Sequence, residues 1–332
     1  MAMSVLLAAT GGVGLLARLS GASENLLDRA DAPDLVQMHT GELTAEERTE
    51  ILAFAEERPA LAVHQVTDLL TLEGGSELSF AGVSQSSSLQ QNSLTVPVPE
   101  RDRLISADGE VLAEVEPGTV WMPVLYAVED GLEVGDTVAI MAPPDGFRQE
   151  LEVAGFVRDS LMSTAFASSK RLAVSAEDMR AVAAHTGTPE HLISFWLDRG
   201  GGDLTAGTLS ADYAEAGLPA NGPMLDRGAF RLFMMIGEGG LVAGSLILIS
   251  LLVAAIGGAL CLRLGVLTTL ERDRREIGGV MRAIGVPDGV IARMHLLRIA
   301  LVGVPAGLIG LLGGALVLEP AVGERLTRFT GG

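Results

Sequence analysis

Few groups of residues in this 332-residue chain have the types and spacing that chemistry requires. The run Gly12-Val13-Gly14-Leu15-Leu16-Ala17 matches GxGxxA, a pattern whose glycines let a backbone approach a dinucleotide phosphate. His185 and His191 are six residues apart across a predicted helix end and turn, which does not define a metal geometry. We therefore predict no catalytic residues, no metal site and no cofactor bound by this chain.

The amino-acid composition excludes further classes of function and site. The net charge of -19 argues against nucleic-acid binding, which needs clustered Lys and Arg. The single cysteine, Cys261, excludes an internal disulfide and the usual cysteine-based zinc clusters. The sequence contains no GxxxxGKS or GxxxxGKT run, so we expect no Walker A loop and no ATP hydrolysis by this chain.

The most informative segment, Leu262 to Arg298, is rich in arginine. From Arg263 onward it holds seven arginines against four acids. Apolar residues recur at helical spacing, which predicts an amphipathic helix from Arg263 to Arg282, called here the arginine-rich helix. Gly285 and Pro287 are expected to end it and to start another helix. Such a helix suits either docking to a protein partner or contact with lipid headgroups alone.

Long uncharged runs flank this segment. Gly239 to Leu262 has 24 residues and Ile299 to Leu318 has 20, enough for a helix to cross a bilayer core of roughly 30 Å. A third run, Met1 to Ala17, is interpreted as a transmembrane helix that is short or clipped at its N-terminus. A signal peptide is disfavoured because no basic n-region precedes it. A dinucleotide-binding turn is disfavoured because residues 20–33 are polar and turn-like.

The distribution of charge sets the predicted topology. Residues 19–228 hold 35 Asp or Glu and 12 Lys or Arg, a net charge of -23. Because basic loops stay on the cytoplasmic side, the arginine-rich segment is expected inside and residues 19–228 outside. The expected organisation of this multi-pass plasma-membrane protein is a first transmembrane helix (1–18), an extracytoplasmic domain (19–228), a stalk and second transmembrane helix (229–262), a cytoplasmic loop (263–298), a third transmembrane helix (299–318) and an extracytoplasmic tail (319–332).

The outer segment, 19–228, predicts a mixed α+β domain. Thr44-Ala45-Glu46-Glu47 is a capping box, expected to open a helix that runs to about Glu57. The Ser- and Gln-rich stretch from Ser84 to Asn92 is expected to be a loop. Further strands are expected over 61–72, 77–80, 118–128, 132–141, 149–157, 171–174 and 191–197, and further helices over 176–185 and 203–216.

One motif carries a resemblance to a known family. Arg275-Glu276-Ile277-Gly278-Gly279-Val280-Met281-Arg282-Ala283-Ile284-Gly285 resembles the REIGVxRAIG signature of FtsX-like and MacB-like ABC transporter permeases. Matches to a Gram-positive branch of these permeases continue through most of the chain: Pro33 to Gly41, Gln91-Asn92, Val134-Gly135-Asp136, Val157 to Ser163, Ser169-Lys170-Arg171 and Asn221-Gly222-Pro223.

The resemblance implies a membrane protein whose outer domain is like the MacB periplasmic core. The arginine-rich helix would be a coupling helix that docks on a separate cytoplasmic ABC ATPase, which would bind the ATP and Mg²⁺. Further expected partners are membrane lipid and a second permease half or copy. The implied ATPase-binding residues are Arg274, Arg275, Glu276, Ile277, Val280, Met281, Arg282 and Ile284.

The expected function is therefore that of a permease subunit without enzymatic activity of its own. It would transmit the motion of the ATPase to the outer domain, for export or extraction of a peptide, lipid or drug-like substrate. The alternatives are a transmembrane regulator of cell-wall hydrolases and a membrane-anchored peptide sensor. Members of the family have four spans for each such domain, whereas this chain has three predicted spans, so it is expected to be the first part of a longer permease or an isolated half.

Overall fold

A computed structural model describes residues 20–72, 76–80, 83–86, 91–142, 145–162, 169–198 and 204–235, together with Ala17 and short stretches between 279 and 308. The chain divides into two compact units. One comprises Met1–Leu19 and Gly239–Arg325, and the other comprises Ser20–Glu238 and Leu326–Gly332. The elements named below belong to the second unit, called here the outer domain.

The outer domain combines strands and helices. Its strands are β1 (Leu35–Thr40), β2 (Leu61–Leu72), β3 (Glu77–Phe80), β4 (Val83–Ser86), β5 (Gln91–Thr95), β6 (Ile105–Ser106), β7 (Thr119–Pro123), β8 (Thr137–Ala142), β9 (Phe147–Arg158), β10 (Ser169–Val174), β11 (Thr188–Leu197) and β12 (Met224–Asp226). Its helices are α1 (20–29), α2 (Ala45–Glu56), α3 (Val124–Glu129), α4 (Ala176–Ala183), α5 (Ala206–Glu215) and α6 (Arg227–Met235). The predicted α+β class is confirmed for this unit.

All twelve strands join one mixed sheet. Their order is β12-β1-β11-β2-β5-β10-β7-β9-β8-β3-β4, and β6 pairs with β9 away from this path. β10 runs parallel to β5, and β7 runs parallel to β9. The remaining pairings of the described sheet are antiparallel. Strands distant in sequence therefore lie side by side, as β1 and β11 do.

Helices cover both faces of the sheet around β1. Leu35 packs with buried side chains of α2 and α5, whereas the next residue, Val36, packs with buried side chains of α1 and α6. Successive strand residues point to opposite faces, so this switch of partners shows a core on each side. A third core joins β2, β5 and β7–β10 with Tyr126 of α3 and Val182 of α4.

Local signals place two helix starts correctly. The Thr44 side chain accepts a hydrogen bond from the Glu47 N–H, and the Glu47 carboxylate accepts one from the Thr44 N–H at 2.8 Å, which confirms the capping box. Ser175 likewise caps α4 by accepting from the Asp178 N–H. The buried side chains of α2 are Ile51, Phe54 and Ala55, whereas Leu52 is exposed.

Three strand or loop predictions are wrong. The strand expected over 118–128 ends at Pro123, where α3 begins, because the β-type residues that follow are buried on the core as a helix. The strand expected from Leu132 starts only at Thr137, after a turn in which Gly135 has a φ of +93°. The loop expected over 84–92 instead contains part of β4 and the start of β5. β4 pairs with the neighbouring strand β3, whereas β5 pairs with β2 and with β10, which is distant in sequence.

The segment expected to be turn-like, 20–33, begins with helix α1. Most of its residues are polar, but Leu26, Leu27 and Ala30 are buried in the core shared with α6. Three apolar residues at helical spacing are too few to predict a helix among so many polar residues.

No helix among the described residues is long and apolar enough to cross a membrane. The three predicted spans, Met1 to Ala17, Gly239 to Leu262 and Ile299 to Leu318, lie almost entirely outside the described residues. They remain predictions, as do the domain boundaries that depend on them.

Candidate functional site

The C-terminal end of the arginine-rich helix is described and is helical. The Ile284 N–H donates to the Val280 carbonyl at 3.1 Å, which is a helical bond. Gly285 then adopts a φ of +85°, and the Val286 N–H donates back to the Met281 carbonyl at 2.9 Å. This six-to-one bond around a left-handed glycine is a Schellman cap. The predicted helix end at Gly285 is confirmed.

Large apolar side chains are exposed at this helix end. Val280 is 62% exposed and Ile284, one turn later, is 73% exposed, whereas Met281 is partly buried. Exposed apolar neighbours one helical turn apart are the anchors used when a helix lies in the groove of a partner. The described part of this segment therefore presents a surface suited to a protein or lipid partner.

The structure places three of the eight predicted partner-binding residues. Val280, Met281 and Ile284 lie together on the last turns before the cap. The other five lie outside the described residues: Arg274, Arg275, Glu276, Ile277 and Arg282. Their partner-binding role stays a prediction.

A second helical segment follows the cap, as predicted from Pro287. The Val290 N–H donates to the Pro287 carbonyl at 2.9 Å, and the described residues from 289 to 297 are helical. Val290, Met294 and Leu297 are 48%, 51% and 62% exposed and recur at i, i+4 and i+7. The described helical residues on each side of Gly285 thus include exposed apolar side chains at helical spacing.

In the outer domain, α1 and α6 are paired helices. Arg227 forms an ion pair with Asp28 and a second with Glu24 at 3.4 Å, and Arg231 reaches Glu24 at 3.6 Å. Phe230 and Met234 of α6 pack in the same core as the leucines of α1. In sequence, α1 follows the first predicted span and α6 precedes the second. These paired helices are therefore the described elements of the outer domain that lie next to the first two predicted spans in sequence.

Two of the quoted motifs meet beside β1. Asn221 mimics a strand residue: its amide oxygen accepts from the Thr40 N–H at 2.7 Å, and its amide nitrogen donates to the Thr40 carbonyl. The Met38 N–H donates to the Pro223 carbonyl at 3.1 Å, and the Gln37 amide donates to the Gly222 carbonyl at 2.7 Å. The Asn-Gly-Pro motif thus extends the pairing at the edge of the sheet along β1.

Two further motifs meet in a buried charge cluster. The Arg171 guanidinium on β10 donates twice to the Asp159 carboxylate, at 2.6 Å for each bond. It also donates to Asp102 at 2.7 and 3.2 Å. All three side chains are at most 2% exposed. Asp159 follows β9 and Asp102 lies between β5 and β6, so one arginine joins three distant parts of the chain.

Burial and charge act in opposite directions on the pKa values of this cluster. Burial alone would lower the pKa of Arg171, but the carboxylates of Asp102 and Asp159 outweigh it and raise that pKa. For Asp102, burial raises the pKa more than the Arg171 charge lowers it. The arginine therefore stays charged, and the cluster is a structural clamp that depends on Arg171.

A buried hydrogen bond joins α3 to another quoted motif. The Tyr126 hydroxyl donates to the Asn92 side-chain oxygen, and both residues are buried. Burial, the largest influence, raises the pKa of Tyr126. The Tyr213 hydroxyl is also buried but has no hydrogen-bond partner among the described residues. These two tyrosines form a matched pair for measuring what the Tyr126 bond contributes.

Tyr126→Phe is expected to lower the free energy of unfolding by about 1–3 kcal/mol, because a buried acceptor loses its donor. Tyr213→Phe is the control and is expected to be neutral or stabilising, because it removes a hydroxyl without a partner. Both tryptophans, Trp121 and Trp196, lie in the outer domain, so tryptophan fluorescence during urea unfolding of the full chain measures this domain. Equal effects of the two changes would contradict the importance of the Asn92 bond.

Sequence reasoning missed two features of this domain. Asp102 lies in no quoted motif, and no local signal links it to Arg171, 69 residues away. The sequence places His191 six residues from His185, but in the folded domain the ring beside His191 is that of His39, with ring centres 6.1 Å apart. Among the described residues, no group of three or more His, Cys, Asp or Glu side chains is placed to hold a metal ion.

Comparisons with known proteins give matches at the level of structure. No protein-family model matches the sequence, and no curated protein matches it. The chain is similar to the periplasmic region of MacB from Actinobacillus actinomycetemcomitans, with 10% identity, 62% of this chain and 94% of that chain covered, and a TM-score of 0.34.

Two further solved structures are similar. A domain assigned to a permease protein of Porphyromonas gingivalis has 13% identity, covers 56% of this chain and 83% of its own, and gives a TM-score of 0.30. The extracellular domain of the ABC-type transporter YknZ from Gram-positive bacteria has 10% identity, covers 58% and 98%, and gives a TM-score of 0.28. At these identities and TM-scores, none of the three assigns a function to the chain.

Proposed function

We propose that this chain is a permease subunit of an ABC transporter complex and that the arginine-rich helix docks on a separate cytoplasmic ATPase. The observation that carries this proposal is the exposure of Val280 and Ile284 at a capped helix end. A helix end fixed by a Schellman cap holds these anchors in one geometry, which lowers the conformational entropy lost on docking.

The charges of the segment complement these apolar anchors. Seven arginines stand against four acids from Arg263 to Arg298. Arg274, Arg275 and Arg282 would meet acidic side chains of the ATPase or lipid phosphates, while the apolar stripe enters its groove. This division of roles is typical of interfaces, where apolar anchors supply affinity and rim charges set orientation.

The outer domain supplies a route for the transmitted motion. Closure of the ATPase would move the arginine-rich helix and the second predicted span, and α6 lies just before that span in sequence. Because α6 is joined to α1 by ion pairs and a shared core, displacement of one helix would be passed to the other and to the sheet between β1 and β11. Export or extraction of a peptide, lipid or drug-like substrate is the function that this arrangement would serve.

Site-directed cross-linking tests the proposal. Cys261→Ser removes the only cysteine, so single cysteines can then be placed at Ile284 and, as the control, at Val134, which is 64% exposed in the outer domain. With the ATPase co-expressed and a membrane-permeable cross-linker, Ile284→Cys is expected to form a covalent adduct with the ATPase, and Val134→Cys is not. Adducts of Val134→Cys alone would refute the docking surface and the topology, and an absence of adducts from Ile284→Cys would refute the docking surface.

A further inference from the structure

His39, His191 and Asp68 form a row across three neighbouring strands. His39 of β1 lies opposite His191 of β11, which lies opposite Asp68 of β2. Arg48 of α2 donates a hydrogen bond to the Asp68 carboxylate. We propose that the row is a binding site for a divalent transition-metal ion, with His39 Nδ1 and His191 Nε2 as the protein ligands.

A hydrogen bond determines which nitrogen of His191 is free. His191 Nδ1 lies 2.8 Å from the Asp68 carboxylate, which only accepts when ionised, so His191 carries its proton on Nδ1. The lone pair of neutral His191 is therefore on Nε2. Neutral His39 offers a lone pair on Nδ1 when its proton is on Nε2.

Those two remaining nitrogens are buried and without partners. His39 Nδ1 and His191 Nε2 have no hydrogen-bond partner among the described residues. The His191 side chain is only 5% exposed, and His39 is 8% exposed. A buried ring nitrogen without a partner is unfavourable. A metal ion that accepts a lone pair from each ring would satisfy both nitrogens.

The separation of the rings selects what fits. Their centres are 6.1 Å apart and their planes are inclined by 28°. A direct hydrogen bond between two ring nitrogens would bring the centres to about 5 Å or less, given a donor–acceptor distance of about 2.8 Å. Two imidazoles on one ion, each with a metal–nitrogen distance of about 2.1 Å, have centres about 5.3 Å apart at a tetrahedral angle and up to about 6.5 Å apart when they lie on opposite sides of the ion. The separation of 6.1 Å therefore leaves room for an ion or a water molecule between the rings and is too wide for a direct hydrogen bond.

The surroundings match those of metal-binding histidines. A ligating histidine usually donates its other ring N–H to a carboxylate or to a backbone carbonyl, which fixes its orientation and raises its basicity. Here Asp68 provides the carboxylate for His191. This outer contact distinguishes the row from two histidines that only share a strand register.

The local charge also tolerates a cation. Arg48 is the nearest positive group, and its charge is compensated by the ion pair with Asp68. The Asp68 side chain is 52% exposed, so the row borders solvent that can supply the remaining ligands as water. Imidazole ligands with open positions suit Zn²⁺, Cu²⁺ or Ni²⁺ rather than Mg²⁺ or Ca²⁺.

Calorimetric titration of the full chain in detergent with Zn²⁺ alone tests the site. One ion is expected to bind per chain. His39→Gln and His191→Gln are each expected to weaken binding at least 10-fold, and Asp68→Asn by about 10- to 100-fold through loss of the outer contact. His185→Gln is the matched control: this exposed histidine stacks on Phe147 outside the row, and its loss is expected to leave binding unchanged.

A second measurement separates lost ligands from lost folding. Excess Zn²⁺ is expected to raise the unfolding midpoint of the native chain and of His185→Gln, but not that of His39→Gln. The midpoints without metal show whether each variant remains folded. Absence of saturable binding by the native chain at millimolar Zn²⁺ would mean that water fills the gap and would overturn the proposal. Unchanged affinity in the His39→Gln, His191→Gln double variant would overturn it as well.

Discussion

Arg171→Met is expected to lower the free energy of unfolding of the outer domain by about 3–5 kcal/mol. The change keeps the length and much of the volume of the side chain but leaves the carboxylates of Asp102 and Asp159 buried without their cation. An uncompensated buried charge is among the largest single destabilisations known for point changes. The loss would also release the three chain segments that Arg171 joins.

Urea unfolding followed by tryptophan fluorescence measures this effect in the full chain, since Trp121 and Trp196 both lie in the outer domain. Arg148→Met is the matched control. Its ion pair with Glu150 leaves the two side chains 51% and 59% exposed, so its loss is expected to change stability by at most about 1 kcal/mol. A similar midpoint for both variants would contradict the role of the buried cluster.

A combined variant distinguishes the lost cation from the lost side-chain packing. When Asp102→Leu and Asp159→Leu are added to Arg171→Met, no buried charge remains in the cluster, and part of the stability is expected to return. Recovery is expected to be incomplete because Asp159 also accepts from the Leu161 N–H at 2.8 Å. A further loss in the combined variant would show that packing, rather than unpaired charge, controls the effect of Arg171→Met.

Sequence alone predicted those parts of the fold that depend on nearby residues. The starts of α2 and α4 follow from side chains that bond to backbone groups three residues away, at Thr44 and Ser175. The twelve-residue strand β2 follows from its β-type composition. The glycine cap at Gly285 follows from the need for a positive φ at a helix end. Each of these signals is complete within a few residues.

The remaining features depend on partners distant in sequence. Val124 to Glu129 has strand-type residues yet forms a helix, because burial of its apolar side chains on the core outweighs local preference. The Ser- and Gln-rich stretch around Gln91 looks like a loop, but pairing with β2 and β10 makes it a central strand. No local pattern encodes such pairings.

The candidate sites also divide into those that lie within one segment and those that join segments distant in sequence. The arginine-rich helix was recognised because its apolar periodicity and its charges lie within one segment. The Arg171 cluster and the His39–His191 row were not, because Asp102 and His39 approach their partners only through the strand order of the folded sheet. Residues that come together through topology carry no signature in a single sequence.

The double change Glu276→Arg plus Met281→Asp is expected to weaken association with the ATPase by about 100-fold or more, which would abolish co-purification. Met281 lies beside the exposed Val280 and is partly buried, so an aspartate there places a charge within the proposed apolar contact. Arginine at 276 replaces the one acid between Arg274 and Arg282, so a basic group of the ATPase that pairs with Glu276 would meet a like charge. The two changes therefore act on the two properties that the proposed interface uses.

Co-purification of the co-expressed ATPase with the tagged full chain measures this association. Val134→Asp is the control, because it also adds one acid at an exposed apolar position but lies in the outer domain. The tryptophan signal reports whether the outer domain of each variant is folded. ATPase retained by the double variant at the level of Val134→Asp would refute docking through this helix. Loss from both variants would show that a change remote from the helix also disrupts assembly, so the double variant alone could not support the assignment. Loss from the double variant alone would agree with cross-linking at Ile284→Cys, because both measurements then place the contact at the apolar end of one capped helix.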